Sequence, residues 1–406
     1  MNFRTSKLSI IALVVGLSMG LSSLQAQEAP INFFHGTWAE VLAKAKAEKK
    51  LIFMDAFTTW CGPCKKMSAQ TFTNGQVGAY FNDKFINTKF DMEAGEGPQL
   101  AAQYAVKAYP TLLWIDGDGN LTHASVGYQD PGRLLANAAV AIDPVHNLSG
   151  MNKRFQGGEL SADFILEYAT MLADGYQSTD EVLGKYWASQ TDTMWVKASN
   201  WKLIQKFETQ PNSLKYVYVN KHNVKFASLY GQKEVYDYLA NAQFEQLLGK
   251  MRTGAINATN YQPELEAIRK SGIPNPEQAI AQADILFYTY LDKKPAKAAD
   301  AAGILIDKYG LNDPYQLNQY AWMAFENATD KPTLVKAIGW VEKALAQLSS
   351  HAFLDTKACL LMKTGDLKKA IATEEEAIKL ATQYDEPSDT YKTKLAEMKK
   401  LLQTKP

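Results

Sequence analysis

The sequence predicts an α/β domain followed by an all-helical region. Three observations carry this. Up to about residue 142, short apolar runs of strand character alternate with segments whose apolar residues recur at helical spacing. From about Ser149 onward no strand pattern recurs. Apolar residues there stand three and four apart, as in Phe164-Ile165-Tyr168-Met171-Leu172 and Val235-Tyr236-Leu239. In the first part, between a strand-like and a helix-like run, stands Trp60-Cys61-Gly62-Pro63-Cys64.

Taken in order, Gln27 to Gly36 reads as a linker. Thr37-Trp38-Ala39-Glu40 fits a capping box and opens a helix that runs to about Lys49. Leu51 to Phe57 is almost continuously apolar, which suits a central strand covered on both faces. Asp55 interrupts it, and a carboxylate buried in a sheet is costly unless it is paired or protonated. Lys65 to about Phe81 reads as one helix, Phe85 to Phe90 as a strand and Pro98 to about Ala105 as a short helix. Strands Thr111–Ile115 and Leu121–Val126 flank the turn Asp116-Gly117-Asp118-Gly119-Asn120. Pro131 to Ile142 is the closing helix, and Asp143-Pro144 marks a boundary. Beyond it, turn signals at Gly157-Gly158, Pro211-Asn212, Gly272-Ile273-Pro274 and Lys294-Pro295 divide helical hairpins.

A Cys-x-x-Cys at a strand-to-helix junction is a redox signature. Cys61 is expected at a helix N-terminus, where unpaired N–H groups and the macrodipole favour a thiolate. Pro63 falls just inside that helix, where a missing N–H costs nothing. The spacing lets Cys64 reach Cys61 and close a disulfide. Cys61, on an exposed loop shaped by Trp60, Gly62 and Pro63, is the expected nucleophile and Cys64 the resolving thiol. The alternatives are half of a zinc site, which needs a second Cys/His pair, and an inert structural disulfide. The third cysteine, Cys359, is distant, and the 5 histidines are scattered.

From about Phe34 to Ile142 the chain resembles the thioredoxin family, whose usual active-site pentapeptide is the one found here. Ala108-Tyr109-Pro110-Thr111 is similar to the family's cis-proline segment, and Gly127 to a glycine near the same surface. The resemblance implies a thioredoxin-like domain, a central mixed sheet flanked by helices. It implies that Asp55 assists proton movement at Cys64, with Lys89 of Lys89-Phe90-Asp91 as candidate charge partner. It implies that Tyr109 and a cis Pro110 dock the substrate chain, and that no cofactor is used beyond the redox-active disulfide Cys61–Cys64. A Gly-rich loop, Gly95-Glu96-Gly97, departs from the family pattern.

Lys+Arg and Asp+Glu balance at 43 each, which gives no support for nucleic acid or anionic membrane as a partner. Arg4 and Lys7, the apolar run Leu8–Leu21 and Leu24-Gln25-Ala26 read as a signal peptide over 1–26. An uncleaved anchor is the alternative. No cysteine stands near the cleavage site to carry a lipid, and the expected location is the periplasm or the exterior.

Near the C-terminus a repeat appears. Ala337 and Ala344 are offset by 33 residues from Ala370 and Ala377, and Leu334 matches Leu367. With Gly365 between helices, residues 312–381 resemble tetratricopeptide repeats, although Glu374 stands where an aromatic is usual. Such arrays offer surfaces for protein partners; helices that merely support the redox domain are the alternative. Trp187, Trp195, Trp201, Tyr216 and Tyr218 either line a groove or fill a core, and Cys359 reads as a core residue.

The expected organisation is a signal peptide (1–26), a thioredoxin-like domain (27–145), a helical region (150–310) and tetratricopeptide-like repeats (311–406). The expected function is reduction of disulfides in exported client proteins, fed by a membrane electron donor. The Gly-Pro pair resembles the reductant members of the family. Disulfide formation or isomerisation uses the same cysteines, and a client-binding or assembly role for the helices is the third reading.

Overall fold

The computed structural model describes residues 29–384 and 386–404. The expected signal peptide lies outside the described residues. Two compact units follow one another, the first up to Gln190 and the second from Thr191.

The first unit is built on a sheet of β1 (Leu51–Phe57), β2 (Phe85–Asp91), β3 (Thr111–Ile115) and β4 (Leu121–Val126). The strand order is β2-β1-β3-β4, with β1 and β2 parallel and the other neighbours antiparallel. Its helices are α1 (Trp38–Glu48), α2 (Gly62–Lys66), α3 (Gly75–Lys84), α4 (Gly97–Gln103), α5 (Pro131–Ile142), α6 (Leu148–Gln156), α7 (Ala162–Asp174) and α8 (Asp180–Ala188). The two-residue period of β1 divides the core in two. Ile52, Met54 and Ala56 pack with Trp38 and Val41 of α1 and Leu100 of α4. Phe53 packs on the other face with Met67, Phe72, Phe81 and Leu134. By the same alternation Asp55 shares the face of Phe53, the side on which α3 and α5 lie.

The capping box is present: Thr37 Oγ1 accepts from the Glu40 N–H, and Glu40 Oε2 accepts from the Thr37 N–H at 2.8 Å. Two expectations are corrected. The single helix from Lys65 to about Phe81 is instead α2, a π-helical turn at Met67–Thr71, and α3. The break has local causes. Thr71 is buried and donates to the Gln129 carbonyl at 2.7 Å, and Asn74 Oδ1 caps a new helix by accepting from the N–H groups of Gln76 and Val77. The linker at 27–36 is, over its described part, a packed strap. Ile31 is buried and its N–H donates to the Phe72 carbonyl, while the Phe34 N–H donates to that of Asn87 at 2.7 Å. Gly78 is glycine because the strap lies on it; a Cβ there would stand 1.7 Å from the Ala29 carbonyl oxygen.

Among the described residues the second unit is helical. It comprises α9 (Ala198–Phe207), α10 (Leu214–Lys221), α11 (Asn223–Tyr230), α12 (Gln232–Arg252), α13 (Tyr261–Arg269), α14 (Pro276–Leu286), α15 (Pro295–Asp307), α16 (Pro314–Asn327), α17 (Lys331–Leu345), α18 (His351–Thr364), α19 (Leu367–Gln383) and α20 (Asp389–Thr404). Trp201 and Tyr216 are core residues, Trp195 and Tyr218 half-buried. The repeat positions Ala337, Ala344, Ala370 and Ala377 have no exposed surface, and Gly365 closes α18 at φ 93°. No helix among the described residues is long and apolar enough to cross a membrane.

Candidate active site

β1 runs out at Phe57, and α2 begins five residues later. Cys61 is its N-cap, with extended backbone (φ −68°, ψ 110°). Its Sγ accepts a hydrogen bond from the Cys64 N–H at 3.1 Å. An N-cap side chain is turned toward the orphan donors of the first helical turn, and here that side chain is a sulfur. Cys61 and Cys64 are joined by a disulfide, with their Cα atoms 5.4 Å apart. The expectation of an exposed Cys61 is corrected for this disulfide form. Both cysteines are only 3% exposed, whereas Trp60 is 64% exposed. Gly62 and Pro63 are exposed as well.

Trp60 is nonetheless held. Its indole Nε1 donates to the Glu93 carboxylate at 3.0 and 3.1 Å, and its ring meets that of Tyr109 edge-on, with centroids 5.9 Å apart. The Tyr109–Pro110 peptide is cis. The Gly127 N–H donates to the Pro110 carbonyl at 2.8 Å, and Gly127 has φ +91°, a conformation that favours glycine. Thus Trp60, the Tyr109–Pro110 pair and Gly127, distant along the chain, are linked by ring contact and hydrogen bond. Glu93 was not legible in the sequence. It lies just ahead of the Gly-rich loop, where the Glu93 N–H donates to Asp91 Oδ1 at 3.0 Å and the Trp38 N–H donates to Glu96 Oε2 at 2.9 Å.

Asp55 is almost fully buried, and parallel pairing places it opposite Lys89. Lys89 Nζ is 3.2 Å from Asp55 Oδ2, yet neither carboxylate oxygen has a hydrogen-bond partner. The lysine donates instead to Ser68 Oγ at 2.8 Å and lies 5.1 to 5.3 Å from the ring centres of Phe33, Phe57 and Phe72. Burial pushes the Asp55 carboxyl up to about 6, and the nearby Lys89 charge holds it from rising further. A carboxyl titrating there can take and give a proton near neutral pH. Ser68 and the aromatic surround of Lys89 carried no sequence signal.

Two further buried titratable groups lie apart from the disulfide. Cys359 is buried in α18, where burial pushes its thiol up to about 12. His123 is buried in β4 with neither ring nitrogen hydrogen-bonded, and burial lowers it to about 4.

Comparison with known proteins matches part of the chain. The family described as "Thioredox_DsbH: Protein of unknown function, DUF255" matches residues 20–113. The thioredoxin-like protein slr0233 of Synechocystis is 30% identical over 105 residues, which is 26% of this chain and 91% of that protein. The thiol:disulfide interchange protein DsbD of Tatumella citrea is 27% identical over 122 residues, 29% of this chain but only 21% of that protein. The solved "putative disulphide-isomerase" of Bacteroides thetaiotaomicron is 44% identical, with 28% of this chain and 96% of that chain covered and a TM-score of 0.27. The family model spans the disulfide at the start of α2, and slr0233 is matched over nearly its whole length, so the chain belongs to the thioredoxin-like thiol–disulfide oxidoreductases.

Proposed function

We propose that the protein is exported and reduces disulfides in client proteins. The observation that carries this is the N-cap position of Cys61, whose sulfur receives a backbone N–H. In the reduced protein that donor favours negative charge on Cys61. The Cys61 thiolate attacks one sulfur of a client disulfide, and the other client sulfur leaves as a thiolate. Asp55 takes the proton of Cys64, with Lys89 setting its charge balance. Cys64 then attacks Cys61 Sγ, which re-forms the Cys61–Cys64 disulfide and frees the second client thiol. Two electrons pass to the client, so a dithiol donor, membrane-borne in this reading, must restore the pair.

Tyr109, cis-Pro110 and Gly127 form the docking edge for the client backbone, and Trp60, Gly62 and Pro63 the exposed rim. The N-terminal segment 1–26 is the export signal, and the thioredoxin-like domain extends to about residue 145. Residues 311–406 are tetratricopeptide-like and offer a second surface to protein partners. The small buried residues at Ala337, Ala344, Ala370 and Ala377 support that assignment.

The test is the equilibrium reduction potential of the Cys61/Cys64 couple, together with trapping on a Cys64→Ala chain. A potential at the reducing end of the thioredoxin range, near −270 mV, and mixed disulfides on Cys61 are the expected results. A value near the DsbA end, about −120 mV, reverses the direction, and no trapped clients removes the reading.

A further inference from the structure

The chain as a whole has zero net charge, but the charges are not evenly spread. From Lys197 to Gly231 there are six lysines, no arginine and one carboxylate, Glu208, a net charge of +5. Glu208 is engaged by Lys215 at 3.4 Å. The other five, Lys197, Lys202, Lys206, Lys221 and Lys225, are exposed and enter no salt bridge among the described residues.

The same stretch holds four large aliphatic side chains out in solvent. Leu214 is 74% exposed, Val217 52%, Val224 75% and Leu229 55%. On α10, Leu214, Val217 and Lys221 stand at i, i+3 and i+7 and share a face. On α11, Val224 and Ser228, and Lys225 and Leu229, stand one turn apart on the exposed side. The inner faces of both helices are filled by Tyr216, Val219 and Phe226, so the outer residues are not needed for the core.

This composition argues about the partner. Protein interfaces are enriched in arginine and aromatic residues and depleted in lysine. The outer faces here carry aliphatics and lysines. Aliphatic side chains that protrude from short helices beside lysines suit the boundary between lipid head groups and acyl chains. The lysines supply attraction to anionic head groups within a Debye length. We propose that α10 and α11 dock this chain on an anionic lipid surface, with Leu214, Val217 and Val224 entering the interface and Lys221 and Lys225 meeting the head groups. This goes beyond the redox reading and stands apart from it.

The test is sedimentation of the full chain with vesicles of phosphatidylcholine alone or with 30% phosphatidylglycerol. The apolar run Leu8–Leu21 and its neighbours Arg4 and Lys7 are common to every sample, so differences between the parent chain and its variants report on α10 and α11. Binding is expected to be at least about tenfold tighter to the anionic vesicles and to weaken steeply with salt. The triple substitution Leu214→Ser, Val217→Ser, Val224→Ser should lower affinity at least about tenfold, and Lys221→Gln with Lys225→Gln about fivefold per lysine. Thermal unfolding by circular dichroism checks that these variants fold. Equal binding to the two vesicle types overturns the proposal, as does wild-type affinity in both variants or no binding at all. Exchange with a small disulfide, measured in the same samples, is expected to be unchanged. Its loss in the unaltered chain counts against the redox reading and leaves the lipid result intact.

Discussion

Lys89 reaches to 3.2 Å from Asp55 but gives its hydrogen bond to Ser68. The carboxylate is therefore neutralised in part without being solvated by its partner, and burial dominates its titration. A folded value raised to about 6 means that the Asp55 contribution is fully present below its unfolded value, near 3.9, and is lost as pH rises through about 6. Asp55→Asn should therefore stabilise the protein at pH 8, by up to about 3 kcal/mol, and have little effect at pH 4. Chemical denaturation at the two pH values checks this. The same variant should slow release of the mixed disulfide, whose pH profile should lose its inflection near 6.

His123 predicts the opposite slope. Its ring is buried beside Trp114 without a hydrogen bond, and its folded value falls to about 4. The unfolded chain, with a histidine near 6.5, then binds the proton more readily. Stability from the neutral ring is complete above about 6.5 and is lost as pH falls toward 4, by up to about 3 kcal/mol. His123→Phe should flatten that acid limb in urea titrations between pH 4 and 7. An unchanged limb would contradict the assignment.

Glu93 is expected to orient Trp60. Glu93→Ala removes the indole's carboxylate partner and leaves the ring contact with Tyr109. Turnover of a protein disulfide should show a KM raised roughly threefold to tenfold, with a small disulfide almost unaffected. A matching fall for both substrates would mean that Glu93 supports the loop rather than the docking rim.

In the last helices Glu374 is fully buried with both carboxylate oxygens unpartnered, near Asp355, which binds Lys394 at 2.6 and 2.7 Å. Burial, and then the Asp355 charge, push Glu374 well above the usual carboxylate range. Its contribution is present at acid and neutral pH and is lost as pH rises through that elevated value. Glu374→Gln should match the parent near pH 6 and be more stable at pH 9, as read from melting temperatures.

Much of the first unit was legible because its information is local. Period-two alternation places Ile52, Met54 and Ala56 against one layer and Phe53 and Asp55 against the other, and Thr37 and Glu40 cap a helix whatever lies around them. The pentapeptide likewise announces itself, since a cysteine ahead of Gly-Pro-Cys at a strand end needs only the next helical turn to acquire its donor. The break in the helix after α2 was not legible. It follows from Thr71 finding the Gln129 carbonyl, a partner 58 residues away.

What the sequence by itself determined, then, is the order of layers and the identity of the two cysteines, because periodicity and capping act over a few residues. Only the tertiary structure decided which groups surround them. Glu93 bonded to Trp60, Ser68 and three phenylalanines around Lys89, and the burial that lifts Asp55 all arise where distant segments meet. The physical reason is that desolvation and charge pairing depend on what is packed against a group in space, and no spacing along the chain encodes that.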